Sequence, residues 1–211
     1  MNFSNRIFFV FVISLSLFSC KNESKNTLEN KVDGESNSLV DAIPKSSESK
    51  IEVDPEVKNA TINSIMLKSM VTPELKTFSR LLVSVGLGDM LTRQKGPFTL
   101  IGPSNAAFSG LGEGKMSELL NAANNENLAI LIKSHIIEGN LDMATIGQKI
   151  DQGDGSFKVV SMAGPSFTFT KKGEDVLITD ENGVSAQIVN SDFKGLNGVA
   201  HTIDNVLGVS N

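Results

Sequence analysis

The apolar residues of this chain change their period once, near Gly155. Before that point they recur every three to four positions. Leu75, Phe78, Leu81, Leu82 and Val85 form one stripe; Leu128, Leu131, Ile132, His135 and Ile136 form another. A helix places residues three and four apart on one face, so each stripe predicts a helix with one buried side. After Gly155 the spacing is two: Phe157 and Val159, Phe167 and Phe169, Val176 and Ile178, Ala186 and Ile188, then Val199, His201 and Ile203. That is the period of a strand with one face on a core. Gly164-Pro165, Lys172-Gly173 and Asn182-Gly183 supply the turns, and Asn-Gly suits the positive φ angles of a tight hairpin. Helices first and antiparallel strands second define an α+β class.

The helical half divides further. Ile62, Ile65, Met66 and Met70 recur at helical spacing. Thr72-Pro73 predicts a helix start, a capping hydroxyl followed by Pro at the first helical position, and Gly86 and Gly88 close that helix. Gly96-Pro97 is a turn and Phe98 to Ile101 a short strand. Ala106 to Leu111 reads as a short helix, Leu119 and Leu120 belong to another, and the helix carrying His135 runs on until Gly139. Leu141 to Ile150 is a weaker helical segment.

The first 54 residues follow neither period. Arg6 precedes an apolar run, Ile7 to Phe18, that is too short to span a bilayer. Residues 1–19 read as a secretory signal peptide. Leu17-Phe18-Ser19-Cys20 resembles a bacterial lipobox, with Leu three residues before the Cys and a small residue directly before it. The resemblance implies that Cys20 becomes a lipidated first residue. One acyl chain gives only marginal membrane affinity, whereas several make retention effectively permanent. Cys20 is also the chain's single cysteine, so the mature domain has no disulfide. Lys21 to Asp54 is rich in Ser, Asn, Glu and Lys and cannot bury enough surface to order itself. Residues 20–54 therefore read as a lipidated, disordered tether, and residues 55–211 as one folded domain.

Composition removes several function classes. The formal net charge is −5, which argues against nucleic acid. Trp and Tyr are absent, so sugar or base stacking would fall to Phe alone. Two His without a second Cys make a poor metal-ligand set, and no metal or cofactor is expected. His135, on an apolar stripe, reads as a core residue, and His201 lies on the inner face of a late strand. Ser104, His201 and Asp204 would be the residue types of a hydrolase triad, but Ser104 lacks the G-x-S-x-G elbow that exposes a nucleophile. "GLGEGK" from Gly110 lacks the spacing and ending of a phosphate loop. Glu174-Asp175 and Asp180-Glu181 fall in turns and read as solvated. In "FTLIGPSNAAFSGL", Ser104 or Asn105 can accept hydrogen bonds from the first free amides of the next helix, and Asn105 can also bridge to another element. Asn105 and His135 are expected buried and hydrogen-bonded, and Asp204 is expected to fix the strand end after His201. The chain is not expected to be an enzyme.

Three stretches carry a family resemblance. "FTLIGPSNAAFSGL" resembles the first signature of fasciclin domains, a strand, Pro-Thr-Asn and a short helix, with Ser104 in place of Thr. "LAILIKSHIIEGNLDMATI" resembles the central helix, and "NGVAHTIDNVL" the second signature. The resemblance implies a bundle of short helices packed beside an antiparallel β-wedge. It implies adhesion at a cell surface or envelope, toward a protein or polysaccharide ligand, with Asn105, His135, His201 and Asp204 as structural signature residues. In some animal members a Tyr-His pair contacts integrins; His135 matches the His, but Ser134 stands at the Tyr position, so that contact does not carry over. A periplasm-facing module for small molecules or glycans is the alternative. Lys21 after the Cys favours the outer membrane or cell surface over the inner membrane.

Overall fold

The first helix is capped from Asp54: its carboxylate accepts the Glu56 N–H at 2.8 Å, and Pro55 takes the first position of α1 (Pro55–Ile62). The computed structural model describes residues 54–209. The signal peptide, Cys20 and the tether up to Val53 lie outside the described residues.

The run from Ile62 to Met70 is two helices rather than one. Ser64 caps α2 (Ile65–Val71) through its hydroxyl, so Ile65 and Met66 are buried while Ile62 and Met70 face water. Thr72-Pro73 does begin a helical segment, a 3₁₀ turn over Pro73–Leu75 that runs into α3 (Lys76–Ser84). The Thr72 hydroxyl is not its cap; it donates back to the Lys68 carbonyl at 2.8 Å. Gly86, at φ 79°, ends α3, but Gly88 opens a further helix, α4 (Gly88–Arg93), instead of closing the last one. With Leu91 as its single buried residue, α4 has no stripe to betray it.

After α4 come β1 (Phe98–Pro103), α5 (Asn105–Gly110), α6 (Gly112–Leu119) and α7 (Asn125–Ser134). The helix expected to reach Gly139 stops at Ser134. His135 is its C-cap, and Ile136 opens β2 (Ile136–Glu138). The cause is non-local: β1 offers a backbone edge, pairing Thr99 with Ile137 and Leu100 with Ile136. Then follow α8 (Met143–Gln152), β3 (Ser156–Val160), β4 (Ser166–Lys172), β5 (Asp175–Thr179), β6 (Ser185–Gly195) and β7 (Gly198–Ile203).

The seven strands form one sheet in the order β2-β1-β7-β6-β5-β4-β3. All neighbours are antiparallel except β1 and β7, which run parallel from Phe98↔Gly198 to Pro103↔Ile203. Every residue of β1 and β7 is buried, on both faces. Strand alternation sends Leu100 and Ala200 into one core with Phe78, Leu82, Phe108 and Ile132. It sends Ile101 and Ile203 into a second core with Ile146, Phe167, Phe169 and Ile178. The α+β architecture is thus a helical layer and a β-wedge, each with a core, meeting at the β1–β7 seam.

Candidate functional site

Each signature residue is held by a different part of the fold. Ser104 is the N-cap of α5, accepting the Ala107 N–H at 3.0 Å. Asn105 leaves that helix alone and bridges outward: its Oδ1 accepts the Thr77 N–H at 2.9 Å, and its Nδ2 donates to the Pro73 carbonyl at 2.8 Å. Asn105 thus caps the first turn of α3 from 28 positions away. It is half-buried rather than buried, and both of these bonds go to backbone.

His135 is fully buried, with its ring centroid 6.0 Å from Phe78 and 6.3 Å from Phe167. Its Nδ1 lies 2.8 Å from the Leu131 carbonyl, so Nδ1 carries the proton, and Nε2 has no hydrogen-bond partner. Burial disfavours the charged ring and lowers its pKa to about 4, against a small opposing pull from the Leu131 carbonyl and Asp180. A neutral ring between two Phe rings is sealed from ligands. Ser134, at the position of the animal Tyr, is also buried and donates to the Leu131 carbonyl.

His201 has both nitrogens occupied. Nε2 donates to the Leu141 carbonyl at 2.7 Å, and Nδ1 accepts the Asp192 N–H at 3.3 Å. Burial lowers its pKa as well. Asp192 reaches it because β6 is irregular between Asn190 and Phe193, and the same aspartate accepts the Met143 N–H at the start of α8. Asp204 is exposed; its Oδ1 accepts the Gln187 N–H at 2.7 Å and its own N–H donates to the Gln187 carbonyl, which fastens the end of β7 to β6. Ser104, His201 and Asp204 are therefore each committed to different backbone partners, and the fold does not assemble them into a relay.

One further polar residue escaped the sequence reading, and another was misread. Asn197, in the β6–β7 turn, is buried; its Oδ1 accepts the Ile65 N–H at 2.7 Å and its Nδ2 donates to the Leu91 and Gln94 carbonyls. One side chain thus ties the start of α2 to the end of α4. The available signal was its place at the head of the second signature stretch. Asp180 is not solvated as its turn position suggested. It is 8% exposed and accepts N–H groups from Asn182, Val184 and Gly208. Glu181 accepts both the amide and the hydroxyl of Ser166, and the hydroxyl bond chiefly lowers its pKa.

With the signature polar groups engaged internally, the accessible chemistry lies on the surface. α2, α3 and α4 frame a groove of two adjoining hollows, about 380 and 410 Å³, that share Met70 and Val83. Val83 is 54% exposed, Met70 46%, and Val71, just beside them, 73%. Lys76 and Arg80 line one hollow, and Gly86, Gly88 and Asp89 the other. A third hollow of about 200 Å³ opens beside Ile130, Phe167 and Glu181.

The fasciclin domain family matches residues 73–209. Protein sll1483 of Synechocystis sp. is 30% identical over 153 residues, covering 72% of this chain and 78% of that protein. The transforming growth factor-beta-induced protein ig-h3 of Sus scrofa is 30% identical over 59% of this chain, and the chain spans 16% of it. Stabilin-1 of Homo sapiens is 29% identical over 64% of this chain, 5% of its own length. The structure of a FAS1 domain pair from the insect cell adhesion molecule fasciclin I superposes with a TM-score of 0.51 and 25% identity, over 65% of this chain and 46% of that one.

Proposed function

Because this chain belongs to the fasciclin domain family, we propose that it is an adhesion module of a bacterial envelope, displayed on a tether and held by a lipid on Cys20. The observation that carries this reading is the fate of the signature side chains. Asn105, His135, His201 and Asp204 are each spent on the domain's own backbone, so they serve to lock helices onto the sheet. Recognition then falls to the outer surface, where Met70 and Val83 stand in water around an open groove. A module that works by surface contact needs no proton relay and no metal, and none enters the proposal. The family's presence in an insect cell adhesion molecule supports the same class of work.

The ligand is a protein or a polysaccharide on another surface, and the anchor sits in the outer membrane or at the cell surface. Integrin-type contact is not part of the reading, because Ser134 is buried where the animal Tyr would project. The test has two parts. Cys20→Ser should release the protein from membranes into the soluble fraction, and protease added to intact cells should degrade the wild type. Cells that lack the protein should then lose attachment to a matrix that wild-type cells bind. Unchanged attachment would remove the adhesion role, and continued co-sedimentation of Cys20→Ser after a high-salt wash would remove the anchor.

A further inference from the structure

We infer that the groove between α2 and α3 is where the partner docks, and that it takes an acidic, apolar peptide segment of a partner protein. This rests on the adhesion reading and gives it a surface and a ligand chemistry. An apolar strip crosses the groove from Met70 on α2 to Val83 on α3. Its base is fixed, because the buried Ser79 hydroxyl on α3 donates to Ser69 on α2, which in turn donates to the Met66 carbonyl. Exposed apolar side chains over a fixed base are the form of a peptide-docking groove, and an unbranched Met adapts to different anchors.

The charges choose the partner. Lys76 and Arg80, four positions apart, project from the same face of α3 beside Val83. Both are exposed, and among the described residues neither forms an ion pair, whereas Asp89 at the other end is already paired with Arg93. The two cations stand beside an apolar strip on a chain whose net charge is −5. A segment with aliphatic side chains for Met70 and Val83 and carboxylates for Lys76 and Arg80 satisfies both features. An acidic polysaccharide would meet the cations but leave the apolar strip in contact with hydroxyls, and no residue lining either hollow is aromatic. A two-fold dimer through the groove would bring like cations toward one another.

The test is a selection of random displayed peptides on the full chain in detergent, followed by fluorescence anisotropy with the enriched sequences. Enriched peptides should combine Asp or Glu with Leu, Ile or Phe. Val83→Asp and the double reversal Lys76→Glu/Arg80→Glu should each weaken binding at least about tenfold. All three positions are exposed, so circular dichroism should show unchanged melting, and the double reversal should select basic peptides instead. Enriched peptides without acidic bias, binding indifferent to these changes, competition by polygalacturonate, or a dimer broken by Val83→Asp would each overturn the inference. Attachment assays separate it from the adhesion reading: if Val83→Asp cells attach as well as wild type, the groove is wrong and adhesion stands.

Discussion

Asn197→Ala tests whether one side chain in the β6–β7 turn holds the helical layer together. The substitution removes the acceptor of the buried Ile65 N–H and a donor to the buried Leu91 carbonyl, and also frees the less buried Gln94 carbonyl. Each buried polar group left unpaired costs ~1–3 kcal/mol. Two such groups give about 2–6 kcal/mol, which is a large part of the 5–15 kcal/mol that holds a typical domain. For a domain of this size, 1 kcal/mol moves the midpoint by about 2–4 °C, so a central loss of about 4 kcal/mol predicts a drop of about 8–16 °C. The chain has no Trp or Tyr, so the melt is best followed by far-ultraviolet circular dichroism or calorimetry. Leu196→Ala is the control, since that neighbour is 66% exposed. Asn197→Asp should fare no better, because a second oxygen would face the carbonyls that Nδ2 now serves. A melt within about 2 °C of wild type for Asn197→Ala would show that water or backbone replaces the clasp, and the reasoning would fail.

Acid should destabilise the domain through His135. Its pKa is about 4 in the fold and near 6.5 when unfolded, so the unfolded chain binds more protons between those values. Stability should be complete above pH 6.5, fall by about 3 kcal/mol as the pH drops to about 4, and gain nothing back below it. Burial depresses His201 in the same direction, so urea titrations across this range should show at least that slope, and a flat profile would refute it. Asn105→Ala should cost about 1–2 kcal/mol, the usual price of a lost helix cap, read as a lower urea midpoint with unchanged slope. Lys171→Ala should stay within about 1 kcal/mol of wild type, because its partner Asp151 is a surface carboxylate.

What could be read in the sequence, and what could not, separates by range. Elements defined by their own period, such as α3 and the paired positions of β3 to β7, were legible because each alternation reports its own buried face. The end of α7 was not. Ile136 continues the helical spacing of Leu128, Leu131 and Ile132, and only the open edge of β1 turns it into a strand. The parallel β1–β7 pairing joins residues about a hundred positions apart, and no local pattern encodes it. Asp180 was misread for the same reason: an acid in a hairpin turn is normally solvated, but Gly208 from the chain's far end closes over it. Among the signature residues, the polar character of Asn105 was informative, while its target, the first turn of α3, was not. The groove was not legible, because Met70 reads as an ordinary member of an apolar stripe until its exposure is seen, and Val83, off the α3 stripe, reads as a lone surface Val.

The place of β7 in the sheet bears on how the chain comes to be folded. The last strand of the sheet in chain order fills the gap between β1 and β6, and until it is in place β2-β1 and β6-β5-β4-β3 share no edge. β6 ends at Gly195 and β7 begins at Gly198, so the seam closes only once nearly the whole domain has been made. Gly198 tightens the requirement, since any side chain there would collide with the Phe98 carbonyl and hold the strand off its neighbour. A chain truncated just before Gly198 would expose two sticky strand edges, on β1 and β6, to whatever lies nearby.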